Sequence, residues 1–237
     1  MKTSKTVSVI IPCRNEEKFI SNCIDSIINQ DYPFDLIEII VVDGDSDDST
    51  INILNKYKNI IVLENKKRIV PISMNMGINI AKGDYIIRID AHCEYPVNYI
   101  SKLIEYSIKY KCDNIGCVME TLPANNTNKA IAIAISVSHP LGVGNSYFRV
   151  GTEKIRHVDT VPFGCYKKKI FDEIGLYDEE LIRNQDDELN ARIIKNGGKI
   201  ILVPQPILKY YARTTIFQLT KMFYQYGLYK PLVNNKI

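Results

Sequence analysis

The chain has 237 residues, 46% of them hydrophobic and 24% charged, which suits an ordinary globular protein with one large core. No stretch approaches the roughly 18 uninterrupted apolar residues of a membrane span, and the opening MKTSKTVSVIIPCRNEE lacks a signal peptide's cleavage region, so a cytoplasmic protein is expected. The six cysteines, at 13, 23, 93, 112, 117 and 165, form no CxxC pair and read as free thiols rather than disulfides or structural zinc. The net charge of +3 hides an asymmetry: no acid follows Glu188, so the segment after it carries +8 and the rest −5. Such a split suits an anionic partner, with phospholipid headgroups, a diphosphate or nucleic acid as candidates; a solvated basic helix is the blander reading.

In chain order, TVSVIIPC (6–13) is a near-continuous apolar run of the kind buried on both faces of a parallel sheet. EEKFISNCIDSIINQ (16–30) follows as a helix with Phe19, Ile20, Cys23, Ile24, Ile27 and Ile28 on one face. LIEIIVVDGDSDDSTINILNKY repeats the strand–helix pattern, with Asp48 or Ser49 as N-cap. A third strand is predicted at 59–65, then a helix opened by Pro71 and closed near Gly83, then the strand DYIIRID (84–90). Helices are expected over about 96–110 and 128–138, followed by a long polar loop, HPLGVGNSYFRVGTEKIRH. VDTVPFGCYKK reads as a strand, KKIFDEIG and QDDELNARIIKNGG as helices, KIILVPQPILKYYA as a strand, and 213–229 as a terminal helix. Strands alternating with helices predict an α/β fold with a mainly parallel sheet.

Ligands of open α/β sheets bind outside the carboxyl ends of the strands, and here those ends are acidic. The first strand ends in Pro12-Cys13-Arg14-Asn15-Glu16, the second in Asp43-Gly44-Asp45-Ser46-Asp47-Asp48 and the fourth in Asp90-Ala91-His92-Cys93-Glu94. Such an edge repels phosphate unless a cation intervenes. Asp90 and His92, two apart in extended chain, project to the same side and offer a carboxylate and an imidazole to one divalent ion. The alternative is that Asp90 caps the next turn and His92 packs.

VSVIIPCRNEEKFI, EIIVVDGDSDDST, NIAKGDYIIRIDAHCEYP and NQDDELNARIIKNGG stand in the order and rough spacing of the inverting family 2 glycosyltransferases with the GT-A fold. Over residues 6–228 the chain resembles that family, and within it the bacterial polysaccharide enzymes of the succinoglycan glucosyltransferase type. The resemblance implies a Rossmann-like, mainly parallel sheet flanked by helices in one GT-A domain over 1–237. Within it, about 6–110 would be the nucleotide-sugar half, about 111–212 the acceptor and base half, and about 213–237 a C-terminal amphipathic helix. It implies that Pro12, Arg14, Glu16 and Asp43 face the base and ribose of the donor. An acid at Asp43, accepting a ribose hydroxyl and an imide N–H, suits a UDP-sugar. Asp90 begins the family's Asp-x-Asp metal motif, with His92 where the last Asp usually stands, so Asp90 and His92 are the expected ligands of Mn2+ or Mg2+. Arg88 is expected to reach donor or diphosphate, or to form a buried ion pair.

NQDDEL resembles the family's Glu-Asp-x-Asp-Leu signature, which makes Asp186 the base that takes the acceptor's proton, or Asp187 after a one-residue slip. An acidic first helical turn favoured by the macrodipole is the plainer reading. Gly164 in FGCYKK is expected to wall the acceptor site or to relieve packing. The expected acceptor is a glycan or lipid-linked saccharide in polysaccharide biosynthesis, with no nucleic-acid partner. Phe217, Phe223, Tyr224, Tyr226 and Tyr229 among lysines suit a helix in peripheral contact with the inner face of a membrane. The family's Gln-x-x-Arg-Trp signature is absent as such, because the chain has no tryptophan. PCRNEEK has no glycine and the GxG at 142–144 is misplaced, which excludes dinucleotide and P-loop sites. A non-catalytic sugar-nucleotide or glycan-binding module on the same fold is the alternative.

Overall fold

The opening apolar run becomes β1 (Val7–Cys13), whose residues alternate between two cores. The structure is a computed structural model that describes residues 5–236; the first four positions and Ile237 of the expected domain lie outside the described residues. After β1 come α1 (Ile20–Ile28), β2 (Ile37–Asp43), α2 (Thr50–Leu54), β3 (Ile61–Glu64), α3 (Val70–Ile80), β4 (Tyr85–Arg88), β5 (Cys93–Glu94) and α4 (Tyr99–Tyr110). The second half holds β6 (Asn114–Leu122), α5 (Asn128–Ser136), α6 (Pro140–Val143), α7 (Tyr147–Val150), β7 (Arg156–His157), β8 (Cys165–Lys167), α8 (Lys169–Ile174), α9 (Gln185–Lys195), β9 (Ile200–Tyr211) and α10 (Ile216–Lys236).

The strands form one sheet in the order β3-β2-β1-β4-β8-β6-β9-β5, with β7 added to β9. From β3 to β4 every pairing is parallel, as the alternating pattern predicts. The register sets Cys13 opposite Asp43, so the β1 and β2 loops leave the sheet side by side. β8 then runs antiparallel to both β4 and β6, and β6 runs parallel to β9. Val9, Ile11, Ile24, Ile27, Tyr99 and Leu103 share the core under α1 and α4. Ile10, Val42, Met74, Ile86, Leu189 and Ile193 share the opposite one, under α3 and α9.

Four expectations need correction. β6 was not read from the sequence, although it is a central strand with its first six residues buried; NIGCVMETL, with Gly116 and an acid, lacks the uniform β-branched signal. Only Cys165–Lys167 of VDTVPFGCYKK is a strand, because Pro162 lacks a donor and Phe163 takes a φ of 49°, which turns the chain into the sheet. The long loop contains α6 and α7, each of four residues and too short to show a period. α10 continues through Pro231 to Lys236, beyond the end at Tyr229 read along the chain and within the 213–237 that the resemblance implies.

A buried amide chain holds α9 to the sheet. Asn114 Nδ2 donates to Asn190 Oδ1 at 2.7 Å, and Asn190 Nδ2 donates to Thr160 Oγ1 at 2.9 Å. Asn114 and Asn190 are both fully buried. Replacing Asn190 with Leu orphans the Asn114 amide and is expected to cost about 1–3 kcal/mol in urea unfolding.

Candidate functional site

β4 is flanked by β1 and β8, so its last residue, Arg88, emerges inside the protein and is only 7% exposed. A buried guanidinium needs an anion, and Asp186 in the first turn of α9 supplies one. Arg88 Nη1 donates to both Asp186 oxygens, at 2.6 and 2.5 Å, and the guanidinium carbon lies 5.7 Å from the centroid of the Phe163 ring. Burial disfavours the charged guanidinium, but the Asp186 carboxylate outweighs it and raises the pKa of Arg88 above its ordinary value. Arg88 is thus the buried ion pair of the two expected roles. Its Nε is buried without a partner.

Asp90 lies two residues beyond the end of β4. His92 Nδ1 is 2.9 Å from Asp90 Oδ1 and 3.5 Å from Glu16 Oε1, so the β1 loop closes onto the same pair. Burial works against a charged His92, but the Asp90 carboxylate, then Glu16, outweigh it and its pKa is pushed up to about 10. For Asp90, burial pushes upward, yet His92 and then Arg88 hold the carboxyl below its ordinary range. Among the described residues no group of three or more His, Cys, Asp or Glu side chains is gathered for a metal. Asp90 and His92, the pair expected to hold a metal, stand together as two side chains. Their 2.9 Å separation is close to the roughly 3 Å between neighbouring ligands of an octahedral ion held at about 2.1 Å.

The three consecutive acids that open α9 point three ways, as helical geometry requires. Asp186 meets Arg88; Asp187 Oδ2 accepts from Lys230 of α10 at 2.9 Å; Glu188 turns inward to Arg192, with contacts of 2.5 and 2.7 Å. α10 is tied to this region again by Arg183 Nε donating to Gln225 at 3.0 Å and by Lys236 with Asp178 and Glu180, at 2.5 and 2.6 Å.

A cleft of about 910 Å³ brings Arg88, Asp90, His92, Asp186 and Asp187 together, with Phe163, Tyr210 and α10 among its walls. Pro12, Arg14, Glu16 and Asp43 are not on those walls; they stand at the ends of β1 and β2, and Glu16 joins them to His92. Asp43 is buried, accepting from Ser46 N at 2.9 Å and from Ser46 Oγ at 2.5 Å. Asp48 serves the α2 start, accepting from Thr50 N at 2.9 Å, and Asp45 pairs with Arg68. A Cβ on Gly164 would sit 2.3 Å from Asn114 Oδ1, so no larger residue packs at this position beside Phe163. Glu94 bonds Lys209 and Tyr211 at the sheet edge, and His139 caps α6 through Leu141 N at 3.2 Å. Arg149 also lines the cleft and belongs to the loop HPLGVGNSYFR, which the resemblance places where acceptor-contacting loops occur; Tyr210 and Lys230 line it too and are not marked by the sequence. The spacing of those two carries no signal, because β9 and α10 meet only in the fold.

The solved structures this chain resembles are glycosyltransferases, and the fold is GT-A. S. aureus TarS in complex with UDP-GlcNAc aligns with a TM-score of 0.69 and 20% identity, over 88% of this chain and 59% of that one. The mannosyltransferase PcManGT from Pyrobaculum calidifontis, in complex with GDP-Man and Mn2+, aligns with a TM-score of 0.71 and 18% identity, over 92% of this chain and 60% of that one. The chain thus spans about three fifths of the length of these two solved chains, the TarS one being residues 1-349. Residues 8–175 match Glycosyl transferase family 2, and the chain belongs to that family. It is 30% identical to the Methanococcus voltae dolichyl N-acetyl-alpha-D-glucosaminyl phosphate 3-beta-D-2,3-diacetamido-2,3-dideoxy-beta-D-glucuronosyltransferase, over 97% of this chain and 74% of that protein. To the succinoglycan biosynthesis protein ExoA of Rhizobium meliloti it is 30% identical over 95% of this chain and 69% of that protein.

The two candidate bases differ in what their loss leaves behind. Asp186→Ala leaves Arg88 buried and unpaired and is expected to cost about 3–5 kcal/mol of stability. Asp187→Ala frees only a half-exposed lysine and is expected to cost less than about 1 kcal/mol. Chemical unfolding of both variants measures the difference.

Proposed function

We propose that the protein transfers a sugar, with inversion and metal assistance, from a UDP-sugar to a glycan or lipid-linked saccharide in polysaccharide biosynthesis. The observation that supports this most is one cleft holding both the Asp90–His92 pair and the Arg88–Asp186 pair. The donor's base and ribose lie against Pro12, Arg14, Glu16 and Asp43, where Asp43 accepts from the ribose hydroxyl and the uracil N–H while its turn bonds hold it still. Asp90 and His92 would hold Mn2+ or Mg2+ through one carboxylate and one imidazole. A metal held there would supply charge neutralisation for the departing nucleoside diphosphate. PcManGT, a solved relative by fold, is described with Mn2+, and TarS with UDP-GlcNAc.

Asp186 takes the proton of the acceptor hydroxyl as it attacks the anomeric carbon from the side opposite the diphosphate. Arg88 fixes the direction of that carboxylate. Phe163, set by its own backbone turn beside Gly164, forms the wall against which the acceptor lies. Asp187 is tied to Lys230 and has the weaker claim to be the base. Among the described residues no helix is long and apolar enough to cross a membrane, and we place the protein in the cytoplasm, in contact with the inner membrane face through its basic C-terminal segment.

Thermal unfolding with UDP, GDP, CDP and dTDP, each with manganese or EDTA, tests the donor side. UDP with manganese is expected to raise Tm by several degrees, the shift disappearing with EDTA and in Asp90→Ala; no shift with any nucleotide would favour a glycan-binding module. Asp186→Asn is expected to keep the UDP shift and to lower turnover of UDP-sugar about 10²–10⁴-fold. An unchanged rate would move the base to Asp187.

A further inference from the structure

Three of the cationic side chains that line the cleft are engaged: Arg88 by Asp186, Arg183 by Gln225 and Lys230 by Asp187. Arg149 and Arg213 also line it and have no carboxylate within ion-pair distance among the described residues. Of these two, Arg149 is fixed by ring contacts: its guanidinium carbon lies 5.6 Å from the Phe148 centroid and 5.2 Å from that of Tyr210. A guanidinium laid on ring faces keeps its N–H groups at the edge of the fork, in the plane where an oxyanion is received. One of these groups, Nη1, is buried without a hydrogen-bond partner. A buried donor left unpaired is costly, and an anion in the cleft removes that cost.

Tyr210 decides which anion comes within reach. The ring that carries Arg149 also stands 5.7 Å from the ring of His92, whose Nδ1 is 2.9 Å from Asp90 Oδ1. Tyr210 is buried, and its backbone pairs with Cys93, the residue after His92, so the ring is anchored beside the Asp90–His92 pair. The loop of Arg149 is expected at the acceptor, but this contact sets the guanidinium at the other substrate. On the acceptor side the cation that touches the base, Arg88, is already neutralised by Asp186. Beside His92 the near groups are the carboxylates of Asp90 and Glu16, which repel phosphate. A diphosphate lying there therefore draws on a cation from elsewhere in the cleft, and Arg149 is the one the fold holds in place.

We infer that Arg149 is a donor-binding residue, whose N–H edge holds the outer phosphate of the nucleoside diphosphate. This rests on the proposed reading, in which the base and ribose lie at Asp43 and the diphosphate at Asp90 and His92. During transfer the bond between the anomeric carbon and the outer phosphate oxygen breaks, and its electron pair stays on that oxygen. The acceptor oxygen forms the new bond to the anomeric carbon, and its proton passes to Asp186. Negative charge thus grows on the phosphate that Arg149 holds, and a cationic donor already fixed in direction stabilises the transition state more than the bound donor.

The test is calorimetric titration of UDP and UMP, with manganese throughout, into the full chain and into Arg149→Gln and Arg149→Lys, with Tm reporting folding. UMP lacks the outer phosphate. Arg149→Gln is expected to weaken UDP about tenfold and to leave UMP unchanged. Arg149→Lys keeps the charge without the planar fork and is expected to weaken UDP several-fold, again sparing UMP; it carries the comparison if the glutamine variant does not fold. UDP-glucose and UDP-glucuronic acid, titrated into the same proteins, are expected to lose affinity equally. The inference is overturned if the folded variants keep UDP, if UMP weakens as much as UDP, or if UDP-glucuronic acid alone is weakened, which assigns Arg149 to a sugar carboxylate. Equal binding of UDP and UMP by the unsubstituted protein overturns it too, while leaving the base and ribose reading in place. An unsubstituted protein that binds neither nucleotide contradicts the donor reading itself, and the inference falls with it.

Discussion

A guanidinium withdrawn from water at the end of a central strand governs the arrangement of this cleft. Arg88 reaches the interior because β4 is covered on both edges, and its charge is tolerable only with a carboxylate brought to it. That carboxylate belongs to α9, so the demand of one buried charge fixes the first turn of the helix. The amide chain through Asn114 and Asn190 fixes the same helix further along. Two independent constraints thus hold Asp186 against the sheet, while Asp187 and Glu188, on the same turn, are left for α10 and for Arg192. Electrostatics and catalysis make compatible demands here, since a carboxylate fixed by a cation is also fixed in direction.

The parallel half of the fold was legible because each of its parts carries its own local evidence. β1 and β2 are runs of β-branched residues buried on both faces, and Pro71 opens α3 just inside its start. The acids at the strand ends were legible for the same reason, as they follow immediately in sequence. β6 failed to show because its burial comes from neighbours distant in the chain, β8 and β9, and not from its composition. β8 shrank because Pro162 and Phe163 favour a turn where the apolar count favours a strand.

The site was legible in part. RIDAHCEYP places Asp90 and His92 together by adjacency alone, and the structure adds Glu16, whose approach depends on the β1 loop. That Arg88 and Asp186 meet is a fact of topology across 98 residues of chain, and no local pattern contains it. Gly164 shows the opposite limit: its sequence context reads equally as pocket wall or packing relief, and the Asn114 side chain that crowds it is invisible in that context. The aromatic stripe of α10 divides similarly, with Phe223 and Tyr226 turned to the cleft and Phe217 turned away.

The wall that α10 contributes is held by the small apolar cluster around Met222 and by pairs at the surface, Lys230 to Asp187 and Lys236 to Asp178 and Glu180; only Met222 and Val233 of that helix are buried. Pairs exposed to solvent weaken as ions accumulate around them, whereas the Arg88–Asp186 pair beneath is shielded. The floor of the cleft is therefore indifferent to ionic strength and its roof is not. Added salt therefore weakens the ties of α10 to Asp178, Glu180 and Asp187 more than the pair at the base of the cleft.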